Sequence, residues 1–321
     1  MNQWLSRYCG VIEKGLEDFY GRYPAPPHLY DPVRYILSLG GKRLRPALVL
    51  LAADSMGGSL EKALPAALAI EVFHNFSLVH DDIMDRAPLR RGHSTVHCRW
   101  DENTAILSGD VMMIQAYELF ESYRGEDFRS LVSTFNRVAR LVCEGQQLDM
   151  DYEKTAEVSR EQYIRMIGLK TAVLIGGALR IGGIVASAPS PAQERLYDFG
   201  FNIGLAFQLT DDYLDTFGDQ RTFGKRIGGD ILDGKKTFLY IAAREKTDRA
   251  VFDAAYGLSD PQERIAAVRR LYGESGADKA LEEAIAFYTD RALACARDLP
   301  VDPSFREYYM SLASSLVDRK L

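Results

Sequence analysis

Two aspartate clusters carry the chemistry most open to reading in this sequence. Residues 77–92 read SLVHDDIMDRAPLRRG and residues 211–215 read DDYLD, so the pattern Asp-Asp-x-x-Asp occurs twice. At helical spacing Asp81 and Asp85 lie one turn apart on one face, where like charges repel. Asp211 and Asp215 repeat that arrangement, and Asp82 and Asp212 are the middle carboxylates. Carboxylates so placed call for a cation. An oxygen-only donor set suits magnesium, which takes one or two carboxylates and completes its shell with water and phosphate. A solvated acidic helix end is the competing reading for either cluster alone, but two copies, each ending a long apolar stretch, argue against it. Neither has the alternate-residue D-x-D-x-D-G pattern of a calcium loop.

Basic side chains supply the other half. GGKRLRP at 40–46 sets Lys42, Arg43 and Arg45 between a glycine pair and a proline, and Arg90 and Arg91 follow the first cluster. A guanidinium grips phosphate oxygens with parallel N–H bonds and lysine adds a point charge, so Lys42, Arg45, Arg90 and Arg91 could hold a diphosphate. Arg43 is expected to make a surface salt bridge instead, because adjacent residues point different ways. His74 lies two turns before Asp81 on the same face; read alone, it is a packed histidine.

Helices must position these groups. Apolar residues recur at i, i+3, i+4 and i+7 over most segments, without a series of alternating strands, which predicts an all-α fold. Helices are expected over 4–20, 29–39, 44–56, 62–86, 101–122, 126–148, 159–186, 192–217, 234–245, 248–254, 260–273, 276–297 and 303–319. The aspartate clusters end the fourth and eighth. No linker or fixed-period repeat interrupts the chain, so a single domain over 1–321 is expected, a large helical bundle with a central cavity between helices into which both clusters face.

Composition narrows the alternatives. The 321 residues are 47% hydrophobic with a net charge of −6, enough apolar content for a large core and no prior for nucleic acid. Four scattered cysteines argue against a zinc ribbon or disulfide framework and fit a reducing cytoplasm. The five histidines form no HExxH pair. The start does not read as a signal peptide, and TAVLIGGALRIGGIVASA, broken by Arg180, reads as a packed internal helix rather than a membrane span.

Taken together, GGKRLRP, HNFSLVHDDIMDRAPLRRG, GLKTA, FQLTDDYLD and GKRIGGDILDGKKT resemble the trans-isoprenyl diphosphate synthase family through most of the chain. The resemblance implies an all-helical, homodimeric enzyme that condenses isopentenyl diphosphate with an allylic diphosphate using three magnesium ions. It implies that Asp81 and Asp85 hold two ions and Asp211 the third, with Asp82, Asp212 and Asp215 in supporting contacts. Arg90, Lys170, Lys225 and Lys235 would contact the allylic diphosphate; Lys42, Arg45, His74 and Arg91 would hold the isopentenyl diphosphate without metal. Thr171 and Gln208 would turn oxygen dipoles toward the allylic cation, and the glycines and lysines of 224–236 resemble a closing loop.

Within that family, residues four and five before the first cluster help set product length. Here they are Ser77 and Phe76, roughly 6 to 7.5 Å along a helix from Asp81 at 1.5 Å per residue. An aromatic beside a small residue resembles short-chain synthases, and DDIMD lacks a two-residue insertion common in bacterial farnesyl synthases. The expected product is geranylgeranyl diphosphate, with farnesyl diphosphate as the alternative. On an ideal wheel Phe76 points away from the Asp81 face while Ser77 lies near it. A terpene cyclase would carry a different second metal motif, and a non-catalytic regulatory subunit would be expected to lose aspartates; all six are present.

Overall fold

The computed structural model describes residues 3–218 and 227–317. Its contacts gather these into two compact units, one up to Arg137 with Gly177–Glu194, the other Val138–Gly176 with Arg195 onward.

The first unit holds α1 (Gln3–Tyr20), α2 (Pro27–Ser38), α3 (Leu44–Ser55), α4 (Leu60–Met84), α5 (Val96–Arg99), α6 (Glu102–Phe120) and the start of α7 (Gly125–Lys154). Helix α4 is central. Ala63, Ala66, Ala67, Ala69, Ile70, Val72 and Phe73 are fully buried around its circumference, as expected of a helix apolar on every side. It packs on α3 and α6. Asp101 starts α6 as an N-cap, accepting from the Thr104 backbone N–H at 2.9 Å and its hydroxyl at 2.7 Å. At the other end of α4, Asp85 is the C-cap, and the chain turns through an unforeseen two-stranded ladder. In it β1 (Leu89–Arg90) pairs antiparallel with β2 (His93–Ser94). Arg91 and Gly92 form its two-residue turn with φ of 53° and 79°, the signs that the right-handed strand twist favours.

The second unit contains the rest of α7, then α8 (Arg160–Ile167), a π-helical turn (Gly168–Ala172) and the start of α9 (Val173–Val185). Most of α10 (Ser190–Phe217) follows, with α11 (Gly229–Leu232), α12 (Phe238–Lys246), α13 (Arg249–Tyr256), α14 (Pro261–Ser275), α15 (Ala277–Arg297) and α16 (Pro303–Val317). The helix expected over 159–186 is therefore interrupted, at GLKTA. Its start is fixed by a capping box between Ser159 and Gln162. Two glycines let neighbouring helices approach the widened turn: a Cβ on Gly145 of α7 would lie 2.2 Å from the Lys170 backbone nitrogen, and one on Gly204 of α10 2.7 Å from the Ala172 Cα. The helix expected from 234 begins at Phe238, because Gly234 adopts φ of 66° and breaks the run.

Among the described residues the fold is all-α apart from that short ladder. The run Arg160–Val185 is long and apolar enough to cross a membrane, yet 78% of its apolar window is buried inside the protein, as in a core helix.

Candidate active site

In the first unit the aspartate cluster closes α4. Asp82 is 1% exposed and is gripped by Arg90, whose Nε lies 2.8 Å from both carboxylate oxygens and whose second guanidinium nitrogen donates to Oδ1 at 2.6 Å. Asp81 is half-buried and Asp85 exposed on the same helical face. The middle carboxylate is thus committed to protein, and the outer two supply the oxygens that line one side of α4.

The loop GGKRLRP enters α3 beside this helix. Arg43 is buried, not on the surface as expected. Its guanidinium donates to Glu13 at 2.8 Å, Glu71 at 2.7 Å and the Leu37 carbonyl at 2.6 Å. The reason is its backbone: φ of 45° at the N-cap of α3 turns the side chain inward. Lys42 stays exposed, while an Arg45 N–H meets His74 Nε2 at 3.1 Å. Arg91 donates to the Gly40 carbonyl, and its guanidinium lies where a Cβ on Gly41 would stand, 3.0 Å away. Burial, then Arg45, Arg91, Arg90 and Arg43, hold the His74 pKa well below the usual imidazole range. His74 is therefore neutral, accepts at Nε2 from Arg45 and carries its proton on Nδ1.

Just over one turn before Asp81, Phe76 packs between Phe73, whose ring is tilted at 38° with centroids 5.6 Å apart, and His80, which meets it edge-on at 4.8 Å. The His80 ring occupies the space that a Cβ on Gly109 of α6 would need. Ser77 turns its hydroxyl back to the His74 carbonyl at 2.8 Å.

In the second unit Lys170, Thr171, Gln208, Asp212 and Lys235 line one cavity of about 140 Å³ together with Asp149, Tyr163, Asp230, Lys236 and others. The π-helical turn presents Lys170 and Thr171, since an extra residue per turn re-aims side chains. Lys170 pairs with Asp149 at 2.5 Å. The Thr171 hydroxyl donates to Gln208 Oε1 at 3.2 Å, and the Gln208 amide donates to Asp212 Oδ1 at 3.2 Å. That chain fixes the Gln208 amide and leaves the Thr171 oxygen lone pairs as acceptors.

Asp212 is 4% exposed and accepts from the Tyr163 hydroxyl on its other oxygen. Burial, then the charges of Asp230 and Asp211, push its pKa well above the usual carboxylate range. Burial and Asp212 together keep Tyr163 a phenol, and hence the donor. Asp211 is half-buried. Asp215 accepts the Asp230 backbone N–H at 3.0 Å on Oδ1 and the Gly228 N–H at 2.7 Å on its carbonyl. Lys235 stands 3.9 Å from Asp230, and Lys236 donates to the Tyr152 and Glu153 carbonyls. Lys225 lies outside the described residues.

Sequence reading missed Asp149, Tyr163, Asp230 and Glu71. Asp230 and Lys236 stood within GKRIGGDILDGKKT, but the others had no local signal: Asp149 and Tyr163 lie in amphipathic helices and Glu71 in the apolar α4, each distinguished only by what packs on it. Whether a hard divalent cation fits is decided by the donors. In both clusters the middle carboxylate is buried and bonded to protein, while the outer ones are more open oxygen donors, a set that fits magnesium completed by water and phosphate.

The polyprenyl synthetase family matches residues 26–274, a span that crosses both units. A geranylgeranyl diphosphate synthase of Methanosarcina mazei is 42% identical over 69% of this chain and 69% of its own length. A geranylfarnesyl diphosphate synthase of Aeropyrum pernix is 34% identical over 92% of this chain and 95% of its own. A crystal structure of a geranylgeranyl pyrophosphate synthase superposes with a TM-score of 0.94 at 46% identity, covering 100% of both chains. The protein belongs to the polyprenyl synthetase family of trans-isoprenyl diphosphate synthases and stands among its short-chain prenyltransferases.

Proposed function

We propose that this prenyltransferase joins isopentenyl diphosphate to an allylic diphosphate to make geranylgeranyl diphosphate, with magnesium as cofactor. One observation carries the reading of the chemistry: in each Asp-Asp-x-x-Asp cluster the protein buries and binds the middle carboxylate and leaves the outer ones more open. Asp81 and Asp85 would hold two magnesium ions and Asp211 a third; bound there, magnesium supplies the positive charge that a leaving diphosphate needs.

The chain's own groups do the rest. Lys170 and Lys235, held beside Asp149 and Asp230, stabilise diphosphate charge as the allylic C–O bond breaks, with Arg90 and Lys225 as further cations. The Thr171 oxygen, oriented by Gln208, turns its lone pairs to the allylic cation. The isopentenyl double bond attacks that cation, and the released diphosphate takes the proton, so no side chain is assigned as base. Lys42, Arg45, His74 and Arg91 hold the isopentenyl diphosphate as a bare anion. Neutral His74 adds an Nδ1–H donor without adding charge.

For product length the aromatic cluster of Phe76 with Phe73 and His80 acts as the floor, with small Ser77 on the Asp81 face. The geranylgeranyl synthases among its relatives support twenty carbons, with farnesyl diphosphate as the shorter alternative and the geranylfarnesyl relative as a longer one. Exposed Leu107 and Ile114 on α6 support a homodimer, and the free cysteines support a cytoplasmic site of action.

The test is a product assay with magnesium, labelled isopentenyl diphosphate and dimethylallyl, geranyl or farnesyl diphosphate in separate reactions. The expected product has twenty carbons from every starter, and Phe76→Ala lengthens it. Accumulation at fifteen carbons with farnesyl diphosphate refused would make it a farnesyl synthase. Turnover surviving Asp81→Ala together with Asp211→Ala would end the metal reading.

A further inference from the structure

We propose that Arg43 and Glu71, which touch no substrate, are positioning residues for the isopentenyl diphosphate: their buried ion pair sets the loop that carries Lys42 and Arg45. This rests on the reading that Lys42, Arg45, His74 and Arg91 hold that diphosphate. Two contacts, from residues two apart on the loop to residues three apart on the helix, register the loop against α4: Arg43 on Glu71 at 2.7 Å and Arg45 on His74 at 3.1 Å. Both partners lie on α4, the helix that carries Asp81, so the loop's basic groups take their place from the helix of the first cluster.

Several features separate this pair from an ordinary core salt bridge. Arg43 and Glu71 are 4% and 3% exposed, and three acceptors from three helices converge on one guanidinium: Glu13 of α1, the Leu37 carbonyl ending α2, and Glu71 of α4. Glu71 is itself held, since Asn75 donates to its Oε1 at 3.2 Å and to its carbonyl at 2.8 Å. Arg43 keeps a left-handed φ of 45°, a conformation unfavourable to any residue with a Cβ. A glycine there would relieve the backbone but lose the anchor. With Gly40 and Gly41 at φ of 73° and 140°, the loop has little stiffness of its own. Arg43 fixes it from inside and Arg91, donating to the Gly40 carbonyl, from the other side. Bonds between lysine or arginine and phosphate are worth most when the donors are already in place.

The experiment compares Glu71→Gln and Arg43→Gly with the full-length parent by steady-state kinetics in both substrates, and by titration of isopentenyl diphosphate without metal. Arg43→Lys is the conservative variant. Expected is a rise in KM for isopentenyl diphosphate and a matching loss of metal-free binding of about tenfold to a hundredfold, with KM for the allylic substrate unchanged. Arg43→Lys, reaching one acceptor instead of three, recovers only part of the loss. Equal worsening of both KM values, or full binding by Arg43→Gly, would overturn the proposal. Lys42→Ala and Arg45→Ala separate the two claims. If they leave isopentenyl diphosphate binding intact, the assignment of that site fails; if they weaken it while Glu71→Gln does not, the positioning role fails.

Discussion

His74 and Asp212 are both ionisable groups pushed toward neutrality by burial, but their neighbours act with opposite signs. Around His74 stand Arg45, Arg91, Arg90 and Arg43; around Asp212 stand Asp230 and Asp211. The middle aspartates differ in the same way. Asp82 is satisfied by a guanidinium, Asp212 by a phenol and an amide. The surroundings of His74 carry excess base and suit an anion beside the first cluster, while the surroundings of Asp212 carry excess acid. The same five-residue motif is thus embedded in two electrostatic settings, and the setting decides how its middle carboxylate is held.

The sharpest way to break this contrast is Arg90→Met. It would strand the Asp82 carboxylate in a buried site, for which the loss is about 3 to 5 kcal/mol; urea midpoints would show it. A small loss would mean that water reaches Asp82 and that the clamp is ornamental. In the other region Gly145→Ala forces a Cβ to within 2.2 Å of the Lys170 backbone nitrogen. Overpacking of that kind costs about 1 to 3 kcal/mol, with activity falling more steeply than stability because the displaced atoms belong to the turn carrying Lys170 and Thr171. Unchanged activity would show that the π-helical turn tolerates retreat. Tyr163→Phe removes one neutral donor from Asp212, at a cost of about 1 to 2 kcal/mol. A loss as large as that of Arg90→Met would erase the difference between a charged and an uncharged clamp.

What could be read beforehand follows the range of each interaction. The helices were legible because their apolar spacing is local, and α4 and α10 end at their aspartates much as the periodicity requires. The short helices Val96–Arg99 and Gly229–Leu232 were not, because four residues carry no period. The π-helical turn left a trace only in retrospect: Gly145 and Gly204 sit on other helices, and their meaning depends on what approaches them. Arg43 shows the limit most plainly. Between Lys42 and Arg45 it reads as a surface cation, and only a left-handed φ and three acceptors from distant segments turn it inward. Tyr163 and Asp149 were invisible for the same reason, each drawing its role from a partner 49 or 21 residues away.

The smallest effect tests the basic setting alone. An unfolded histidine titrates near 6.5, and His74 in the folded protein is held well below that. Above 6.5 neither state binds the proton, and the fold keeps the full contribution of His74. As the pH falls through 6.5, the unfolded chain takes up a proton that the folded protein refuses, so stability declines until the folded pKa is reached. The decline attributable to His74 is at most about 1.4 kcal/mol per pH unit. His74→Gln keeps an amide opposite Arg45 and has no proton to refuse, so its urea midpoint should fall less between pH 7 and pH 5 than that of the parent. Parallel curves would mean that folded His74 accepts the proton despite four neighbouring arginines, and that the basic excess of this region is screened by solvent rather than held for an anion.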